Sequence, residues 1–262
     1  MARQLLRARR VIDGAGGVID NGAVLVADTQ IEAVGRSVDV GEPGDVEVLD
    51  LGDSTVLPGL IDVHNHVTFP GDARVLKQVM THDQHAMLAQ GRLTAASLLA
   101  AGITTIRDLG ASGDTLFRLA GEIAAGQTAG PDIVASTAQL TAVGGPNSPL
   151  GGGCTDLAAA RDRIDADAEQ GARVVKIIAT GSVTDTDSDP TRPVFDDATV
   201  TGIVEHTHGR GMRVAAHAHD RRGSPRPRAA VWTPSSTPAS SAGYERSTPG
   251  WTQQLPVPRH RV

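Results

Sequence analysis

Pro58-Gly59-Leu60-Ile61-Asp62-Val63-His64-Asn65-His66 is the stretch on which the fold turns. Leu60, Ile61 and Val63 read as a buried strand entered through a Pro-Gly turn, and two imidazoles stand two positions apart at its end. Side chains alternate along a strand, so that spacing places both rings on one face. Two neutral imidazoles converging at a strand's C-terminal end are what a divalent metal requires of nitrogen donors. The plainer alternative is two polar residues where a strand meets a loop.

Outward from this stretch, strands alternate with helices. Strands are expected at residues 60–64, 104–108, 133–136, 174–178 and 213–217, and helices at 85–101, 115–125, 156–170 and 196–210. The last three helices begin near Asp114, Thr155 or Phe195-Asp196, and Gly102, Gly126, Gly171 and Gly211 stand where C-caps belong. Such alternation implies a parallel sheet or a (β/α) barrel, whose chemistry gathers at the C-terminal ends of the strands. His64, Asp108, Lys176 and His217 all fall at or near such ends. Before position 58 the pattern is different. Ala23-Val24-Leu25-Val26 and Ile31-Glu32-Ala33-Val34 flank Asp28-Thr29-Gln30 as a hairpin, and Asp13-Gly14-Ala15-Gly16-Gly17 is another turn, so a small β-domain is expected. The fold class is therefore α/β: a partial (β/α)8, TIM-like barrel with about five of the eight strands, preceded by a small β portion.

The bulk numbers exclude several classes. A formal net charge of −6 over 262 residues with 21% charged side chains gives no ground for nucleic-acid binding. One cysteine, Cys154, excludes an intrachain disulfide and suits a reducing compartment. No apolar run approaches the ~18 residues of a membrane span, and Met1-Ala2-Arg3 leads into no signal-peptide core. A cytoplasmic protein acting on a small-molecule substrate, without nucleic acid or membrane and with an oligomer open, is the expectation.

Lys176 lies within Val174-Val175-Lys176-Ile177-Ile178, an apolar strand that should be buried. Burial disfavours the ammonium form and lowers the pKa of the amine. Either this lysine snorkels to solvent, or its free amine takes up carbon dioxide as a carbamate, an anion able to bridge two metal ions. His217 and His219 form a second His-x-His at a strand end. His206 and His208 sit on a helix and are expected to face solvent, and His82 and His85 lie near a helix start.

Together these motifs resemble the amidohydrolase superfamily, more closely its imidazolonepropionase-like and Xaa-Pro dipeptidase (prolidase) branch. The resemblance covers residues 5–220 and rests on four stretches in order: Pro58 to His66, Ala101-Gly102-Ile103-Thr104-Thr105-Ile106-Arg107-Asp108-Leu109-Gly110, Lys176 with Ala179-Thr180-Gly181, and Val214 to His219. It implies a β-sandwich flanking the barrel. It also implies a binuclear metal centre, zinc in the first instance with manganese, iron or cobalt open. His64 and His66 would bind one ion, carboxylated Lys176 would bridge, and His217 would bind the other, with His219 a neighbour. The implied activity is hydrolysis of C–N bonds in small cyclic amides or dipeptides by a metal-activated hydroxide. The family's acid-base aspartate and a further metal-binding histidine are not found in this sequence. Gly144-Gly145-Pro146-Asn147 also carries proline where relatives commonly have histidine.

The last 42 residues differ in kind. Residues 221–262 hold seven of the fifteen prolines, both tryptophans and seven arginines, and only Glu245 as an acid; their net charge is +6 against −12 for the rest. The genetic code offers a cause. Trp232 ends in G and Thr233 begins with AC, so the shifted codon across them is GAC, aspartate. Continuing in that frame allows Val-Asp-Ser-Val-Glu-His-Ala-Ser-Phe-Leu, with histidine at slot 237, where the resemblance would place the missing metal ligand. The expected organisation is thus a β-sandwich portion at 1–57, the N-terminal part of the barrel at 58–220, and an out-of-frame, disordered tail at 221–262. A basic tail that binds acidic partners is the competing explanation. A catalytically inactive truncated remnant that only binds metal is the alternative to a working hydrolase.

Overall fold

A computed structural model of the chain describes residues 3–71, 83–182 and 189–218. The chain divides after Gly59 into two compact units. The first holds β1 (Arg3–Ile12), β2 (Val18–Ala27), β3 (Gln30–Arg36), a single helical turn α1 (Ser37–Val40), β4 (Glu47–Asp50) and β5 (Thr55–Val56). They form one sheet in the order β3-β2-β1-β4, with β5 also on β1. Both turns read from the sequence are present. Asp13 accepts the amides of Ala15 and Gly17 at 2.8 Å each, closing the β1–β2 turn. The β2–β3 hairpin pairs Val24 with Val34 and turns through Asp28 at φ 50°. Leu5, Ala23 and Leu25 form the small core of this unit.

The second unit alternates as expected: β6 (Leu60–Asn65), α2 (Gln84–Ala100), β7 (Ile103–Asp108), α3 (Thr115–Ala124), β8 (Asp132–Ala135), β9 (Thr141–Ala142), β10 (Gly153–Cys154), α4 (Leu157–Glu169), β11 (Val174–Ile178), α5 (Asp197–Gly209) and β12 (Arg213–His217). β6, β7 and β8 are parallel neighbours, as are β11 and β12. The two groups join through the extended chain after β8. There Leu140 donates its amide to Lys176 O and accepts that of Ile178, each at 2.8 Å.

Local chemistry explains the helix limits. Asp83, Asp156 and Asp196 cap α2, α4 and α5 by accepting the amides of Ala86, Ala159 and Thr199. The cap of α4 is thus Asp156, not Thr155, and Asp114 makes no side-chain cap at all. Gly102, Gly126, Gly171 and Gly211 follow their helices at φ between 69° and 97°, the left-handed region in which a glycine carries no steric penalty.

Two apolar clusters hold the helices to the strands. Ile106 of β7 packs with Leu88, Leu116 and Leu119, while Val175 and Ile177 of β11 pack with Ile164 and Ile203. Alternation then sends Lys176 to the opposite face of the sheet. One expectation fails: β6 is not buried. Leu60 and Ile61 are 49% and 44% exposed, because among the described residues β6 pairs only with β7. The expected tail, residues 221–262, lies outside the described residues.

Candidate metal centre

His64 occupies the end of β6 and His66 follows directly after it. Their rings meet edge to face with centroids 5.6 Å apart. His66 also stacks on Phe69 at 5.3 Å, with 11° between the ring planes. Its Nδ1 lies 3.1 Å from the carbonyl oxygen of Gly110. A carbonyl only accepts, so Nδ1 carries the proton and Nε2 keeps its lone pair. Burial pushes the pKa of His66 down to about 4, so the ring is neutral at ordinary pH. That is the form in which imidazole binds a metal. His64 is lowered as well, first by desolvation and then by the positive charges of Lys176 and Arg107.

Lys176 is 3% exposed in a strand whose five residues are all buried, so it does not snorkel. Desolvation, followed by the Arg107 guanidinium, lowers its pKa to about 8. Its positive charge contributes to lowering the pKa of both His64 and His66. The β11–β12 register pairs Ile178 with His217, so His217 faces the same side as Lys176.

The donors brought together are therefore His64, His66 and, electrostatically, Lys176. No group of three His, Cys, Asp or Glu side chains close enough to hold a metal occurs among the described residues. The donor chemistry nonetheless fits a divalent ion: two neutral imidazoles, one with its tautomer set, and a partly deprotonated amine. His219 and His82 lie outside the described residues, and His85 is exposed on α2. Contrary to expectation, His206 does not simply face solvent. Its Nε2 lies 2.8 Å from the Asp165 carboxylate on α4, which Arg210 also engages. A half-buried carboxylate on the neighbouring helix draws it in.

Two buried polar residues had no role assigned from the sequence, although Asp108 falls at one of the strand ends where the chemistry was expected to gather. Arg107, 8% exposed, donates Nε to Val63 O at 2.6 Å and so braces β6 from β7. Asp108, fully buried, accepts the amides of Val67 at 2.6 Å and Gly110 at 3.0 Å. Burial raises its pKa to about 7 against the opposing pull of those two bonds. Both belong to the Thr105-Ile106-Arg107-Asp108 run, whose charged pair closing an apolar strand was the available signal.

Residues 55–225 match the sequence profile of the amidohydrolase family. The Aspergillus niger ochratoxinase is 28% identical over 255 aligned positions, which cover 84% of this chain and 51% of that protein. An imidazolonepropionase of Pseudomonas savastanoi is 37% identical over 59 residues, 22% of this chain and 15% of the relative. Among solved structures, A. niger ochratoxinase superposes with a TM-score of 0.73 at 23% identity, covering 85% of this chain and 57% of its own. A putative prolidase from Bifidobacterium longum gives 0.67 at 30% identity, covering 85% and 51%. The chain thus spans about half the length of the ochratoxinase and of the putative prolidase that it matches.

Proposed function

The chain belongs to the amidohydrolase family, and from that premise we propose that it is built for metal-dependent hydrolysis of C–N bonds in small cyclic amides or dipeptides. The observation that carries this is the His64–His66 pair, with rings 5.6 Å apart and the His66 Nδ1 turned to Gly110 O. The sequence likeness to ochratoxinase and to the putative prolidase supports the same reading. His64 and His66 would hold one divalent ion, zinc in the first instance, and Lys176 and His217 would face a second. Such ions supply Lewis acidity and lower the pKa of water.

Lys176 contributes as its carbamate. Its free amine, available because the pKa is lowered to about 8, attacks the carbon of carbon dioxide. An N–C bond forms, one proton passes to water, and one negative charge spreads over two oxygens. Arg107 nearby is the cation that offsets that charge. No described residue is assigned the proton transfer to the leaving nitrogen.

The organisation belongs to the same proposal: a sandwich portion at 1–57, barrel strands at 58–220, and out-of-frame translation from 221. The composition break and the Trp232–Thr233 junction support the last. A cytoplasmic setting rests on the single Cys154, which is buried. A second reading, a metal-binding remnant without turnover, is favoured by the lack of a third His, Cys, Asp or Glu donor at the described site.

Zinc titration of the 262-residue chain, with bicarbonate present, tests the centre. Binding is expected, and His64→Asn and His66→Asn should each weaken it at least tenfold. A chain that binds no zinc overturns the proposal. Turnover of prolyl dipeptides or cyclic amides by the zinc-loaded chain selects the hydrolase over the remnant.

A further inference from the structure

The hydrogen bonds behind His66 form one connected path, and none of its members is a candidate metal ligand except His66 itself. Asp108 Oδ2 accepts the amide of Val67, the residue after His66, and Oδ1 accepts the amide of Gly110. The Gly110 carbonyl in turn takes the His66 Nδ1 proton. Leu109 N donates to Asn65 O at 2.9 Å, tying the same two loops a second time. Gln139, 3% exposed, then donates Nε2 to Leu109 O at 3.2 Å and accepts Asn147 Nδ2 at 2.6 Å. Asn147 sits in the left-handed region, φ 60°, in the loop between β9 and β10. Gly110 has φ 134°, and a Cβ there would lie 2.7 Å from Gln139 Cγ, so this crossing is packed too closely for any side chain.

We propose that Asp108 and Gln139 are positioning residues that fix the tautomer and direction of His66, so that Nε2 is its ligand atom, and that they tie the 143–152 loop to that setting. Asp108 is suited to this because both carboxylate oxygens are used, one on each of the two loops that must stay in register. Only a group with two acceptors can do so from that position. Gln139 is suited because an amide both donates and accepts, and here does each once. A ligating histidine whose other nitrogen is held by a carbonyl keeps one tautomer, and loss of such support typically weakens metal binding about 10–100-fold.

The proposal rests on the metal reading above, but its first readout does not need metal. In the 15N-histidine-labelled 262-residue chain, with His66 assigned by loss of its signals in His66→Gln, the ring should be neutral and protonated at Nδ1 near pH 7. Asp108→Asn replaces one acceptor with a donor and should return His66 toward the Nε2-protonated form that free imidazole side chains favour. It should also weaken zinc binding about 10–100-fold. Gln139→Leu, which leaves Asp108 intact, should shift both in the same direction by less. A folded Asp108→Asn protein with the wild-type tautomer and zinc affinity overturns the proposal. If Asp108→Asn does not fold, an unchanged tautomer in Gln139→Leu overturns it instead. A wild-type chain that shows the Nδ1 proton but binds no zinc sinks the proposed metal centre and leaves the positioning of His66 standing.

Discussion

β6 and β11 carry the two halves of the candidate centre, and in sequence they look alike: three apolar residues around Asp62 and leading to His64, four around Lys176. In the structure they differ. β11 has Leu140 on one side and β12 on the other, and all five of its residues are buried. β6 has β7 alone among the described residues, and Leu60 and Ile61 stay half exposed. A run of apolar residues makes a strand, but burial is conferred by what lies beside and behind it. The consequence reaches the chemistry. Lys176 is desolvated by its whole surroundings, whereas His66 depends on Phe69, Gly110 and the Asp108 clamp.

The sharpest way to break this contrast is to truncate an isoleucine on each strand. Ile177→Ala, at a fully buried position, should cost about 3–4 kcal/mol in urea unfolding. Ile61→Ala, 44% exposed, should cost about 1 kcal/mol or less. Comparable losses at the two sites would mean that β6 is covered in solution.

A somewhat smaller effect concerns Lys176. Its folded pKa of about 8 lies below the 10.5 of a solvated lysine, so an unfolded chain takes up the proton first as pH falls. Stability tied to the neutral amine is therefore present above about 10.5 and lost as pH drops through about 8. In carbon dioxide-free buffer, Lys176→Met should be more stable than wild type at pH 7 by about 2–3 kcal/mol, and the gap should close toward pH 10.5. A gap that does not vary with pH would show that desolvation does not govern this amine.

His66 gives the smallest effect. Its folded pKa of about 4 against 6.5 means that stability is held above 6.5 and lost as pH falls toward 4. For a half-buried ring the loss should be about 2 kcal/mol. Asp108 opposes it. Its pKa, raised to about 7, favours the fold below about 3.8 and withdraws that contribution as pH rises through 7. Comparing His66→Gln with wild type from pH 7 to 4 isolates the histidine, and equal slopes for the two proteins would refute its burial as the cause.

Much of the architecture was legible because it is local. The parallel alternation from Leu60 onward follows from apolar periodicity. The helix stops follow from glycines with positive φ, whereas of the expected starts only Asp196 caps as read, Asp114 making no side-chain cap and Asp156 capping in place of Thr155. The His64–His66 pair follows from the two-residue repeat of a strand. What could not be read is non-local: Gly110, which sets the His66 tautomer, is 44 residues away, and Gln139 lies farther still along the chain. The exposure of β6 was misread for the same reason, since apolar lead-in residues say nothing of the number of neighbouring strands.

By itself, then, the sequence determined that this chain builds parallel strand-helix units and ends one strand in paired imidazoles, because both depend on residues within a few positions of each other. Only the tertiary structure decided which strand is desolvated, which nitrogen of His66 keeps its lone pair, and that Asp108 and Gln139 stand behind it. Those outcomes depend on dielectric surroundings and on hydrogen bonds between loops remote in sequence, and neither is encoded at any single position.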